Sequence, residues 1–191
     1  MEAFSDGVIA ILITIMVLEL RIPHHAQLSA LQGLRSIFFS YLLSFVFLGI
    51  YWNNHHHMLR ATERINGKIL WANLHLLFWL SLFPFVTGWM GENHFAKAPV
   101  ITYGVIDLCA AIAYYILLRL ILAEQGPDSV LARAIGRDVK GKASPIIYLI
   151  GIALGFVNRW LALGAYIVVA LIWFIPDRRL EPRPSTEEIG A

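Results

Sequence analysis

The side chains able to do chemistry in this 191-residue sequence are few: Ser5, Asp6, His55, His56, His57, Asn73, His75 and Asp107 all stand inside or at the ends of long apolar runs. A polar group placed in hydrocarbon is costly, so each is a functional candidate before it is a structural one. Three adjacent histidines suggest a metal, yet residues i, i+1 and i+2 of a helix fan out by about 100° each and cannot face one ion together, so no metal site is expected. No HExxH, glycine-rich phosphate loop or GxSxG frame occurs, which leaves a catalytic reading without a nucleophile or base and a cofactor without a motif. The single cysteine, Cys109, excludes a disulfide within the chain and a cysteine metal cluster.

Composition says what must hold these groups. Hydrophobic residues make up 58% of the chain and charged residues 15%, with a mean hydropathy of +0.65. Globular chains carry about a quarter charged residues, so this sequence cannot cover a water-facing surface. Its 15 basic and 13 acidic residues lie between apolar stretches, as in an all-α polytopic membrane protein embedded in a lipid bilayer. The basic residues flank spans and form no single patch, which argues against nucleic acid as a partner.

A bilayer core of about 30 Å takes roughly 20 helical residues. Six spans are predicted at 3–20, 34–59, 69–90, 98–122, 145–157 and 160–175, the last two a tight hairpin through Asn158 and Arg159. Ser144-Pro145 reads as N-cap and first-turn proline of the fifth, Pro176 as the stop of the sixth, and Pro84 as a kink in the third. Residues 1–176 form one membrane domain on this reading. The segment 123–144 is the one sizeable loop, and 177–191 a polar, disordered tail. The first span lacks a basic leader and a small-residue cleavage site, so it is expected to be a retained helix.

With a cytoplasmic N-terminus, the inner side holds Arg60, Arg64, Lys68, Arg119, Arg133, Arg137, Lys140, Lys142, Arg178, Arg179 and Arg183, leaving Arg21, Arg35, Lys97 and Arg159 outside. The positive-inside rule then puts both termini in the cytoplasm of a multi-pass cell-membrane protein. Counting depth at about 1.5 Å per residue, Ser5, Asp6, His55, His56, His57, Asn73 and His75 share the inner level. They can satisfy one another as an inner polar clamp, with a titrating switch as the rival reading. Asp107, deeper in the fourth span, is expected to pair with an Asn, His or Arg, or else to couple to protons.

On the first span Gly7, Ala10 and Thr14 form a narrow small-residue stripe beside Ile11, Ile15 and Leu18, a pattern that permits close helix approach. A buried central helix has the same pattern. Gly151 and Gly155 form a GxxxG notch for the sixth helix.

Phe4-Ser5-Asp6-Gly7 before an apolar helix, Trp52-Asn-Asn-His55-His56 ending the second span, Asn73 early in the third and Pro84-Phe85 later in it together resemble the prokaryotic members of the transmembrane protein 175 family of potassium channels. The resemblance implies a homotetramer whose four first helices line one axial pore, without a TVGYG filter. It implies a constricting apolar ring seven positions after the motif phenylalanine, at Ile11, with further rings at Ile15 and Leu18. It places a threonine layer linked to potassium selectivity at Thr14, and Phe4 with the inner clamp. The implied function is potassium conduction through an apolar constriction, with potassium as the permeating ion and no cofactor. The alternative is a proton-coupled secondary transporter using Asp107, Asp6 and His75.

Overall fold

In the computed structural model, residues 1–23, 26–135 and 138–174 are described, and among them every regular element is helical. Helix α1 (Glu2–Ile15) tightens into a 3-10 turn, Met16–Glu19. A second 3-10 stretch, Leu28–Leu34, leads into α2 (Arg35–Arg60). There follow α3 (Gly67–Ser81), α4 (Phe83–Glu92), α5 (Lys97–Gln125), α6 (Val130–Ile135), α7 (Val139–Gly155) and α8 (Arg159–Phe174). By length and composition, three stretches can each cross a membrane: Leu28–Arg60, Gly67–Glu92 and Lys97–Gln125; α8 is apolar but shorter.

Local chemistry sets the ends. The Asn66 side chain accepts from the Ile69 amide and starts α3. Pro84 in the first turn of α4 separates it from α3 at Leu82, so the third predicted span is a broken helix, as its proline suggests. Two expectations need correction. The fifth span does not start at Ser144-Pro145: Asp138 caps α7 by accepting from the Gly141 amide at 3.0 Å, and Pro145 lies inside the helix. Ser144 instead donates to the Lys140 carbonyl one turn back. The supposed loop 123–144 consequently holds α6 and the first turns of α7. Pro176, the end of the sixth span and the tail 177–191 lie outside the described residues.

Helix α5 is the axis of the subunit, packing against α3, α4, α7 and α8. Its buried side chains recur at helical spacing, including Tyr103, Asp107, Ala110, Leu117 and Ile121. Tyr166 of α8 reaches it between two glycines: a Cβ on Gly104 would stand 2.0 Å from the Tyr166 hydroxyl, and one on Gly151 would stand 2.6 Å from its ring. The GxxxG pair is therefore a notch for α8, with Gly155 against Ile101 and Ala162. Helix α1 packs on α2, α3 and α4 at the periphery of this bundle.

Candidate functional site: the first helix and its two anchors

Helix α1 has two unlike faces. Ser5, Ile9, Leu12 and Met16 recur at i, i+4, i+7 and i+11 and are buried in the subunit. On the other side Phe4 (58% exposed), Ile11 (57%), Ile15 (44%) and Leu18 (77%) are uncovered, and Gly7, Ala10 and Thr14 are exposed with them. Thr14 Oγ1 donates to the backbone carbonyls of Ala10 (3.1 Å) and Ile11 (3.0 Å), which leaves the oxygen lone pairs pointing away from its own helix. The stripe expected from the sequence is thus one continuous free surface of the subunit.

The inner end is anchored by side chains. Asn73 Nδ2 donates to Ser5 Oγ at 2.9 Å, and His55 Nε2 donates to Asn73 Oδ1 at 2.7 Å. Ser5 and His55 are fully buried and Asn73 nearly so. Because an amide oxygen only accepts, the His55 proton sits on Nε2; Nδ1 is buried without a partner. Beside this chain lies a separate, half-buried group in which His56 Nδ1 stands 3.1 Å from Asp6 Oδ2 and 3.4 Å from Glu2 Oε1, with Trp52 stacked on the imidazole.

The expected clamp is therefore two clamps. Ser5, His55 and Asn73 form the buried one; Asp6 and His56, joined by Glu2, form the outer one. Phe4 lies on the free face, apart from both. His57 touches only the rim through the His56 ring, and His75 accepts from Trp79 Nε1 (2.9 Å) within its own helix. Glu2 had no sequence signal beyond its i, i+4 spacing from Asp6.

The outer end of α1 has an anchor that sequence reasoning missed. Tyr103 donates to Ser44 (3.1 Å), Ser44 to Thr87 (2.6 Å) and Thr87 to Met16 Sδ (3.8 Å), a buried polar line from α5 through α2 and α4 to α1. Arg21, just beyond, pairs with Glu92. Polar Ser44 and Thr87 inside apolar runs were the available signal. The free face thus hangs between two fixed points, which holds its register against the rest of the subunit.

Asp107 departs from expectation. It is fully buried, and neither carboxylate oxygen has a hydrogen-bond partner. Among the described residues no Asn, His or Arg pairs with it; it lies within electrostatic reach of Tyr51, Tyr103, Tyr148 and Tyr166.

Comparison with known proteins adds a second line of observation. Residues 1–84 match the family described as endosomal/lysosomal potassium channel TMEM175. A potassium channel of a Chryseobacterium species is 52% identical over 181 residues, covering 95% of this chain and 94% of its own length. A potassium channel of Chamaesiphon minutus is 31% identical over 185 residues, covering 89% and 90%. The crystal structure of a lysosomal potassium-selective channel TMEM175 homolog from Chamaesiphon minutus superposes with a TM-score of 0.80 at 30% identity, over 92% of this chain and 95% of that one.

Proposed function

The chain belongs to the TMEM175 family of membrane proteins, and on that premise we propose that it is a potassium-selective cation channel of the cell membrane, assembled as a homotetramer around the free face of α1. The observation that carries this reading is the two-sidedness of α1. One face is locked into the subunit at both ends, while Ile11, Thr14, Ile15 and Leu18 are left uncovered. Four such faces about one axis enclose a path that no single subunit can.

Along that path Ile11, Ile15 and Leu18 are apolar rings. Water leaves a narrow apolar throat, and an ion there meets a dehydration barrier with no oxygen ligand to offset it. Ile11 is the gate on this reading. Thr14, one turn further along, presents hydroxyl oxygens whose own protons are engaged by the helix. Such a ring holds a partly hydrated cation, and weak oxygen ligands favour potassium over the more strongly hydrated sodium. The two inner clamps fix the entrance helix, with a structural role for Ser5, Asp6, His55, His56 and Asn73. The subunit acts without a cofactor and without catalysis.

A proton-coupled carrier built on Asp107, Asp6 and His75 has less support, because these groups lie in three different surroundings and form no common site: Asp6 beside His56, His75 bonded to Trp79, and Asp107 unbonded near tyrosines. Recording from purified protein in planar bilayers separates the two. Discrete unitary currents that reverse at the potassium equilibrium potential are the expected result; flux without unitary events overturns the channel reading. Ile11→Asn should raise leak current, and Thr14→Val should lower the potassium-to-sodium permeability ratio measured under bi-ionic conditions. A ratio untouched by Thr14→Val but abolished by Ile11→Asn would reverse the two roles.

A further inference from the structure

Away from α1, a cavity opens between α2, α5, α7 and α8, with about 510 Å³ of unoccupied space including its mouth. Aromatic rings are prominent in its walls, among them Tyr51, Tyr114, Tyr148 and Trp173. Tyr51 meets Tyr114 at 6.2 Å and 64°, and Tyr114 meets Trp173 at 6.1 Å and 75°, so successive rings turn edge to face around the space. The Trp173 indole N–H is taken up by Ser144 Oγ at 2.7 Å, which fixes that ring in place.

One acidic group lines this cavity and a second lies behind its wall. Asp138 lines it; its Oδ1 caps α7, while Oδ2 is buried with no partner. The residue is held at φ 42°, in the left-handed region that few residues other than glycine, asparagine and aspartate adopt, and its carboxylate rests over Gly141, where a Cβ would lie 2.4 Å from Oδ2. Asp107 stands one turn before Ala111 on the α5 stripe that continues through Tyr114 and Leu118, all three of which line the cavity. It lies behind the lining, fully buried, with neither oxygen hydrogen-bonded among the described residues and with the lining residues Tyr51 and Tyr148 in electrostatic reach.

We propose that this cavity is a binding site, one in each subunit, for a small quaternary ammonium ion, seated against the faces of Tyr51, Tyr114, Tyr148 and Trp173 with Asp107 and Asp138 as its counter-charges. Ring faces attract a weakly hydrated organic cation, whereas a hard metal ion asks for several charged oxygen ligands and the lining carries one carboxylate, Asp138. A cation there also compensates the charge of Asp138, whose Oδ2 has no hydrogen-bond partner among the described residues. Arg119 and Lys142 line only the neighbouring outer groove, where both are solvent-exposed. The site is independent of the pore reading.

The test is equilibrium dialysis of labelled tetramethylammonium against the purified full-length protein at constant ionic strength. Saturable binding of one ion per chain is expected. Asp138→Asn keeps the helix cap but removes the charge and should weaken binding about tenfold, as should Asp107→Asn, and Trp173→Leu several-fold. Ile11→Asn and Thr14→Val should leave it unchanged. The proposal is overturned by any of three results: no saturable binding, affinity unchanged in Asp138→Asn, or fewer than one ion per chain with binding lost in Ile11→Asn, which places the ion in the pore. Equal displacement by potassium at matched concentration also overturns it, since the site would then be one for simple cations.

Discussion

Replacing Asn73 by alanine cuts the buried clamp at its centre: the His55 Nε2–H loses its acceptor, and Ser5 Oγ loses its donor while keeping its bond to the Met1 carbonyl at 3.2 Å. Each orphaned buried polar group costs about 1–3 kcal/mol in soluble proteins. Inter-helix hydrogen bonds in membranes are worth less, near 0.6 kcal/mol on average with about 1.7 as a maximum, because the unfolded chain finds other partners in lipid. Two bonds therefore amount to about 1–3 kcal/mol. For a chain of this size that lowers the melting temperature by roughly 2–12 °C. Asp6→Ala is the comparison. Its side chain is 27% exposed and its partner His56 24% exposed, so the pair belongs to the class worth about 0–1 kcal/mol. Unfolding followed by tryptophan fluorescence in detergent gives both values. A double-mutant cycle should find Ser5 and Asn73 coupled by about 0.5–1.5 kcal/mol, and Asp6 and Asn73 additive within about 0.5. If Asp6→Ala costs as much as Asn73→Ala, or if Ser5 and Asn73 prove uncoupled, the division into a buried and an outer clamp is wrong.

The proposed assembly is checked by native mass spectrometry in detergent, where four-chain species should dominate and a population of monomers and dimers alone would sink the tetramer. Gly104→Ala puts a Cβ 2.0 Å from the Tyr166 hydroxyl and 2.4 Å from its Cζ and should destabilise the fold by about 1–3 kcal/mol in thermal unfolding; an unchanged melting temperature would mean that the α5–α8 contact is not tightly packed there. Asp138→Ala should cost about 1 kcal/mol as a lost helix cap and Asp138→Asn far less; equal losses in thermal unfolding would mean that the charge, not the cap, holds α7.

Depth along a helix is readable from a sequence, whereas direction around it is much less so when every face is apolar. That distinction explains what was legible. Ser5, Asp6, His55, His56 and Asn73 do lie at one level, as counting residues implies. Ser5 and Asp6, however, are neighbours in the chain and point about 100° apart, so Ser5 meets Asn73 of α3 while Asp6 meets His56 of α2. The adjacent pair His55 and His56 splits in the same way. The free stripe of α1 was legible because small and bulky residues alternate at helical spacing. The Tyr103–Ser44–Thr87–Met16 line was not, since it depends on the mutual register of four elements. Ser144-Pro145 misled because a serine before a proline is the usual mark of a helix start; here Asp138 had already started α7, and the serine hydroxyl returned to a carbonyl of the same helix. Asp107 was expected to find an Asn, His or Arg, and met only tyrosines, because the stripe of α5 on which it stands faces the aromatic middle of the subunit.

In the proposed assembly, the bond from the Thr14 hydroxyl to its own helix bears on how a lone chain rests in the bilayer before it meets other copies. A newly inserted chain must rest the free face of α1 against acyl chains, and a dangling hydroxyl proton there would be penalised until assembly. With that proton already engaged, positions 4, 7, 11, 14, 15 and 18 offer the lipid only carbon and an acceptor oxygen. The same surface therefore tolerates hydrocarbon in the lone chain and can later line an aqueous path, with no side chain having to exchange its donor bond as subunits come together.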